Sequence, residues 1–355
     1  MSGVETSASQ DHAAVAVARS DDQAAFAALT EQHRRELQVH CYRMLGSFEE
    51  SEDLAQETFL RAWRGRDSFQ GRSTLRAWLY RIATNACLDH LRQRQRRPVP
   101  RDPAAALARS VATMPRAEIP WLQPFPDALL EPAAPRDDEP DAAVVAKETI
   151  ELAFLVAIQH LPPRQRAVLI LRDVLGWSAN ETAALLDTTV AAVKSALQRA
   201  RPALREHLPE RRSEWAASAD PTEEERALLH RYMDAHERSD LDAVAALLAE
   251  DVLLTMPPHP YWLAGRIAMS EFTAKVFDPS SSWYLGRWHS VVTRANRQPA
   301  IAHYVERPDY ELTRDLPGDY RAQVLDVLRI EGGKVVEITA FEPRMFPAFG
   351  LPLAL

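Results

Sequence analysis

The 355-residue chain has only two cysteines, Cys41 and Cys87. Two thiols build neither a zinc motif nor a disulfide framework, so no metal site is expected. Both fall in apolar helical patterns and read as buried, reduced side chains. No stretch reaches the roughly 18 apolar residues needed to cross a bilayer. The N-terminus has no basic start followed by an apolar run, so no signal peptide is expected. These absences point to a cytoplasmic protein. No internal repeat is visible. Positive charge is also in deficit: 42 Lys and Arg stand against 50 Asp and Glu, a net charge of -8. A simple nucleic-acid binder would carry the opposite sign.

The deficit is unevenly spread. From Asp22 to Arg97 there are 13 basic and 10 acidic residues; from Pro221 to Leu355 there are 14 and 20. The strongest cationic run, His90 to Arg97, closes the first segment. Such asymmetry suits a front that faces nucleic acid and a rear that does something else. The length and the 46% apolar content allow two or three globular units. Residues 1–21 are small and polar and are expected to lack structure. Helical patterning runs from Asp22 to Arg97 and stops at Pro98. The stretch from Pro98 to Asp141 is rich in Pro, Ala and Asp and reads as a linker. Within it, Trp121-Leu122-Gln123-Pro124-Phe125-Pro126-Asp127 is too aromatic for a spacer and is expected to dock on something. A second helical unit spans Ala142 to Leu208, and a polar joint runs from Pro209 to Asp220. The last unit begins with helices at Glu223–Arg238 and Leu241–Leu248. Strand patterns follow at Val252–Met256, Ser290–Arg294, Ala300–Glu306, Arg321–Ile330 and Lys334–Phe341, the last two flanking a Gly332-Gly333 hairpin turn.

The second helical unit carries a helix-turn-helix pattern. Ser178 and Glu181 have the spacing of a capping box. Asp187-Thr188-Thr189 supplies a turn and a cap for the next helix. There Val190, Val193, Leu197, Ala200 and Leu204 form a buried stripe at helical spacing. Lys194, Gln198, Arg201 and Arg205 occupy the opposite side, flanked by Ser195 and Arg199. Gln and Arg pair with base edges in a major groove, and Ser, Lys and Arg hold phosphates. An ordinary amphipathic helix with a solvated polar face fits the same spacing.

The first unit carries two further patterns. In Glu52 to Trp63, Leu54, Ala55, Phe59, Ala62 and Trp63 can bury. Asp53, Gln56, Glu57 and Leu60 lie elsewhere as an acidic face with one apolar anchor, suited to a basic partner helix or simply to solvent. The helix from Ser73 to Arg97 has a core stripe of Leu75, Leu79, Ile82 and Ala86. Trp78, Arg81, Asn85, Leu88 and Arg92 form a second stripe. Interleaved aromatic and basic residues suit unstacked bases and phosphates; a core Trp with surface arginines is the plainer reading. The Arg64 to Arg72 loop can hold a flipped base.

Taken in order, these segments resemble sigma factors of the extracytoplasmic-function class. Glu52 to Phe59 is similar to the segment that binds the clamp helices of the polymerase largest subunit. Arg76-Ala77-Trp78-Leu79-Tyr80-Arg81-Ile82-Ala83-Thr84-Asn85 is similar to the segment that reads and melts the promoter -10 element. Leu161 to Val168 and Val193 to Arg201 are similar to the -35-reading domain. The resemblance implies two all-α sigma domains, residues 22–97 and 142–208. It implies core RNA polymerase, through clamp helices and flap, and promoter DNA as partners, with no cofactor and no catalysis. Asp53, Gln56, Glu57 and Leu60 would bind polymerase. Arg72, Trp78, Arg81, Asn85 and Arg92 would bind the -10 region, and Lys194, Ser195, Gln198, Arg199 and Arg201 the -35 region. The linker would thread through the polymerase toward the RNA path.

From Glu223 on, the chain resembles SnoaL-like domains, α+β cones that some sigma factors of this class carry together with a Trp-Leu-x-Pro-x-Pro-Asp linker motif. Such a tail, residues 221–355, is expected to regulate the sigma core by contacting the linker or the first domain. A ligand pocket would involve His259, Tyr261, Trp262 and Trp283, with His289 and His303 as further candidates. Two other functions fit parts of the sequence: a helix-turn-helix regulator independent of polymerase, and a cyclase or isomerase with a helical adaptor.

Overall fold

In the computed structural model the described residues are 16, 22–71, 73–96, 119–130, 150–208, 222–259, 261–306 and 315–355. The chain divides into two compact units. One comprises residues 1–99 and 130–213, the other residues 100–129 and 214–355.

The first unit is helical. Helix α1 (Gln23–Glu31) starts where the Asp22 carboxylate accepts the Ala25 amide. Helix α2 (Arg34–Leu45) ends at Gly46, whose φ of 73° is left-handed and favours glycine. Ser47 caps α3 (Phe48–Arg64) by accepting the Glu50 amide. Helix α4 (Leu75–Arg96) is capped by the Thr74 hydroxyl. Then come α5 (Leu152–Gln159) and α6 (Pro163–Leu169), the latter with proline in its first turn, where no amide is needed. Helix α6 runs on as a π turn to Val174. The expected capping box opens α7 (Ala179–Leu185), with Ser178 and Glu181 exchanging both bonds. Asp187 takes a left-handed φ of 48° in the turn, and Thr189 caps α8 (Val190–His207).

One core joins both helical segments of this unit. Leu37, Met44, Leu79, Ala83 and Leu91 share it with Phe154, Ile158, Leu161, Leu169 and Ile170. Both cysteines lie in it as free thiols. Arg166 of α6 is buried there. Its terminal nitrogens donate to the carbonyls of Met44, Gln159 and Leu161 and to the Gln159 side chain. Those acceptors replace lost water around a cation whose pKa burial depresses to about 10. Gln159 donates in turn to the Arg43 carbonyl at 3.3 Å.

The second unit is α+β. A second capping box, Thr222 with Glu225, opens α9 (Glu223–Glu237), and Asp240 caps α10 (Leu241–Leu247). Strands β1 (Leu248–Thr255) and β2 (Trp262–Ala264) precede α11 (Arg266–Phe277). Strands β3 (Trp288–Ala295), β4 (Gln298–Val305), β5 (Arg321–Glu331) and β6 (Lys334–Phe341) complete one sheet of order β2-β1-β6-β5-β4-β3. Only β1 and β6 run parallel. The five strands expected from the sequence are present. Helix α11 and strand β2 were not anticipated.

Alternation gives this sheet two buried faces. Trp288, Ile301, Val305, Leu328 and Ile338 pack inward with Leu228 and Tyr232 of α9 and Met269 of α11. Ala302, Tyr304, Leu325, Val327 and Phe341 point the other way and are also buried. The C-terminal residues cover that outer face. The Tyr304 ring meets Phe346 edge-on at 5.2 Å, and its hydroxyl donates to the Pro352 carbonyl. The Ala322 amide donates to Leu353, and Leu355 exchanges bonds with Tyr320.

The aromatic linker segment belongs to this second unit. Ile119, Leu122 and Phe125 are buried. Pro126 bridges Ala295. The Phe125 amide donates to the Asn296 side chain at 2.8 Å, and the Asn296 amide donates to the Phe125 carbonyl at 2.9 Å. Asp127 accepts from the Arg297 amide at 2.8 Å and from Arg294 Nε at 3.0 Å. Asn296 and Arg297 form the β3–β4 turn with φ of 57° and 62°. A left-handed Arg is disfavoured by about 1 kcal/mol, and the Asp127 bond to its amide offsets that cost.

Candidate polymerase and promoter surfaces

On α3, burial of Ala55, Thr58 and Ala62 leaves Asp53, Gln56 and Leu60 facing solvent. Leu60 is 51% exposed, unusual for an aliphatic side chain on a well-packed helix. Glu57 joins that face while accepting from Arg61 Nε at 2.8 Å. The result is an acidic stripe with an apolar knob, which fits a basic, partly apolar helix.

The second stripe of α4 divides. Arg81 and Asn85 are exposed, and Arg92 is exposed while pairing with Asp89. Trp78 is buried: only 4% remains accessible, and its ring lies 5.1 Å from Phe69. Leu88 is buried too. In this conformation Trp78 is therefore a core side chain, as the plainer reading of the sequence had it. Arg72 and the end of the His90–Arg97 run lie outside the described residues. Arg81 and Asn85 line an open cleft of about 580 Å³ with Arg61 and Ile82 and with Ala184, Leu185 and Asp187 of the helix-turn-helix. Nearby, the Trp177 ring sits 5.4 Å from Tyr80 of α4, with the Arg76 guanidinium 6.0 Å away.

On α8, Val193 and Ala200 are buried, and Lys194, Gln198, Arg199 and Arg201 are exposed. Ser195 accepts from Arg199 at 2.6 Å. Arg201 forks onto Asp173 with bonds of 2.9 and 2.8 Å. That pairing ties Arg201 to Asp173, whereas Lys194, Gln198 and Arg199 are exposed on the same helix.

In the tail, His259 pairs with Glu342 at 2.9 Å, Tyr261 and Trp262 are half-buried, and Trp283 is 53% exposed. All four are at least partly exposed. The interior holds different residues: Tyr232, His236, Phe277, Trp288 and His303 meet edge-on or tilted, with ring centroids 4.3–6.2 Å apart. The Ser290 hydroxyl bonds His303 Nδ1 at 2.9 Å, and Asp326 lies 3.6 Å from Nε2. Burial lowers His236 to about 4, holds His303 well below the usual range and raises Asp326 to about 7. His236 and Asp326 gave no sequence signal, because only the packing of α9 on the sheet and the β4–β5 pairing bring them near His303. The rings touch one another, while Trp288 Nε1 and His303 Nε2 are buried without a hydrogen-bond partner. Among the described residues no cluster of His, Cys, Asp or Glu is arranged for a metal, and no helix is long and apolar enough to cross a membrane.

Two all-α modules, one ending in a helix-turn-helix, followed by an α+β cone, define a transcription-initiation factor. Three family profiles agree: sigma-70 region 2 matches residues 29–97, sigma-70 region 4 residues 151–204, and the SnoaL-like domain residues 229–338. The ECF RNA polymerase sigma factor SigG of Mycobacterium tuberculosis is 40% identical over 338 residues, 93% of this chain and 85% of that protein. SigW of Bacillus subtilis is 33% identical over 190 residues, 54% of this chain and 92% of that protein. The crystal structure of M. tuberculosis SigJ has the same fold, with a TM-score of 0.54 over 92% of this chain and 99% of that one, at 23% identity. The chain belongs to the extracytoplasmic-function RNA polymerase sigma factors. It is a non-enzymatic subunit that binds core RNA polymerase and directs promoter recognition.

Proposed function

We propose that the α3 face of Asp53, Gln56, Glu57 and Leu60 seats the chain on the clamp helices of the polymerase largest subunit, and that α6–α8 reach the flap. The observation that carries this is the exposed Leu60 within an acidic stripe. Arg81, Asn85 and Arg92 of α4, with Arg72, hold the opened -10 strand. Trp78 joins them only if its packing on Phe69 gives way. Lys194, Gln198 and Arg199 of α8 read the -35 element, with Ser195 holding Arg199 and Arg201 joining when it leaves Asp173. The cleft between α4 and α7 supports a further reading: the shared core is a resting arrangement, and the modules part so that each can reach its own DNA element. Both partners place the protein in the cytoplasm.

The tail regulates this core by holding the linker. Its bonds to Phe125 and Asp127 support that reading. A small-molecule ligand of the tail would touch His259, Tyr261, Trp262 and Trp283. Run-off transcription with core polymerase tests the whole reading. Full-length chain is expected to give a discrete start site, and an Asp53→Lys/Leu60→Ala variant to lose it. A variant as active as wild type would displace the α3 assignment.

A further inference from the structure

The β3–β4 turn of the tail reads the linker as a peptide. Its occupant is non-helical through Phe125 and Pro126 and turns into a 3-10 helix at Asp127–Leu129, and each contacting residue meets a different requirement. Phe125 is a fully buried anchor. Its backbone N–H and C=O are both taken by Asn296, through the side chain and the main chain respectively. Pro126 has no N–H to give, and its bridge to Ala295 asks for none. Asp127 takes one bond from the Arg297 amide and one from Arg294 Nε. The donors belong to a single turn, 167 to 171 residues along the chain from the segment they hold. The pairing of β3 with β4 does not run through the occupant. Strands β3 and β4 pair through eight registered residues from Trp288–Val305 to Ala295–Gln298 without it. Such a segment can leave while its host stays folded.

We infer that the tail is a peptide-reading module, whose site at Arg294, Asn296 and Arg297 takes an aromatic–proline–aspartate segment. Phe125-Pro126-Asp127 of the same chain is its resident and exchangeable occupant. This rests on the reading that the tail acts through the linker and gives that action a mechanism: capture and release of one tripeptide. An aromatic anchor supplies affinity, and the carboxylate fork on Arg294 and the Arg297 amide supplies selectivity.

The test uses the full chain carrying Phe125→Ala and Asp127→Ala, with a fluorescein-labelled synthetic peptide of residues 119–130. Saturable anisotropy is expected for this chain. Binding should weaken at least about tenfold when the peptide carries Asp127→Ala, when the chain also carries Asn296→Ala, or when wild-type chain with its own linker in place is used. A folded double variant that does not bind, or binds no better than wild type, overturns the proposal. Hydrogen exchange on the wild-type chain decides the matter independently of that variant's folding. The amides of Asn296 and Arg297 should exchange at least about 100-fold faster than those of Val327 and Leu328 in β5. Equal protection would make the linker a fixed part of the fold and overturn the proposal. Neither assay contains polymerase or DNA, so failure here leaves the sigma reading standing, and failure of run-off transcription leaves this one.

Discussion

Replacing Asp326 by Asn should stabilise the tail at neutral and alkaline pH and leave it nearly unchanged near pH 4. The carboxyl is buried on the inner face of the sheet, beside His303 and against Tyr232. Burial raises its pKa from 3.8 to about 7. In the unfolded chain the group ionises above pH 4; in the folded chain it keeps its proton until near pH 7. Its contribution to stability is therefore whole below pH 4 and is lost as pH rises through 7. A pKa rise of that size corresponds to about 4 kcal/mol. Asparagine keeps the shape and never ionises, so D326N escapes that loss. The difference between variant and wild type should grow by about 1.4 kcal/mol per pH unit between pH 4 and 7 and then level off. The neighbouring histidines act in the opposite sense. His236 and His303 are held neutral by burial, so the unfolded chain takes up protons below pH 6.5 that the folded tail refuses, and stability falls on that side. Urea unfolding at several pH values, read through hydrogen exchange of the β4 and β5 amides, measures the difference. A variant equal to wild type at pH 8, or a difference independent of pH, would refute the reasoning.

Two further outcomes concern the helical unit and a third the linker segment of the tail. Trp177→Ala removes the ring contact with Tyr80 and should weaken the shared core by about 2–4 kcal/mol; a fluorophore pair on α4 and α8 should then report greater separation than in wild type. Gln198→Ala should cost about 1–3 kcal/mol on the matched -35 sequence and flatten discrimination at one base pair, whereas Lys194→Ala should weaken all sequences alike and lower the salt dependence; holoenzyme binding to a panel of -35 variants separates the two. Phe125→Ala should release the linker while the tail stays folded, because the order of 3–5 kcal/mol lost with a buried Phe exceeds the margin of a short segment held at one turn. Limited proteolysis within residues 119–130 should speed up, and unchanged cleavage would show that other contacts hold the segment.

Much of the architecture was legible in the sequence where signals were local. Ser178 with Glu181 announced α7, and Thr189 was available to cap α8. Gly332-Gly333 marked the β5–β6 hairpin, because glycine meets the left-handed φ of 55° and 71° without strain. The equivalent β3–β4 turn uses Asn296-Arg297, and nothing local marks an arginine for that role; its support arrives from Asp127, far away in sequence. Strand β4 is buried at every position, because the C-terminal residues close the outer face of the sheet, so alternation could not tell inside from outside. Helix α11 lacked a side-chain cap: Gly265 precedes it and offers none. Trp78 shows the limit of reading a stripe, since helical spacing placed it beside Arg81 and Asn85 while Phe69, in a loop, drew it into the core. The aromatic linker segment announced that it docks somewhere, but only the fold supplies the address.

The most direct measurement combines purified chain, core RNA polymerase and a promoter library in one transcription reaction. The chain should co-elute with core enzyme through the α3 face and confer a defined set of start sites. Substitutions at Lys194, Gln198 and Arg199 should shift that set at the -35 element, and substitutions at Arg81 and Asn85 should act at the -10 element. A chain that stays apart from core enzyme, or that joins it and leaves start-site choice random, would contradict the account.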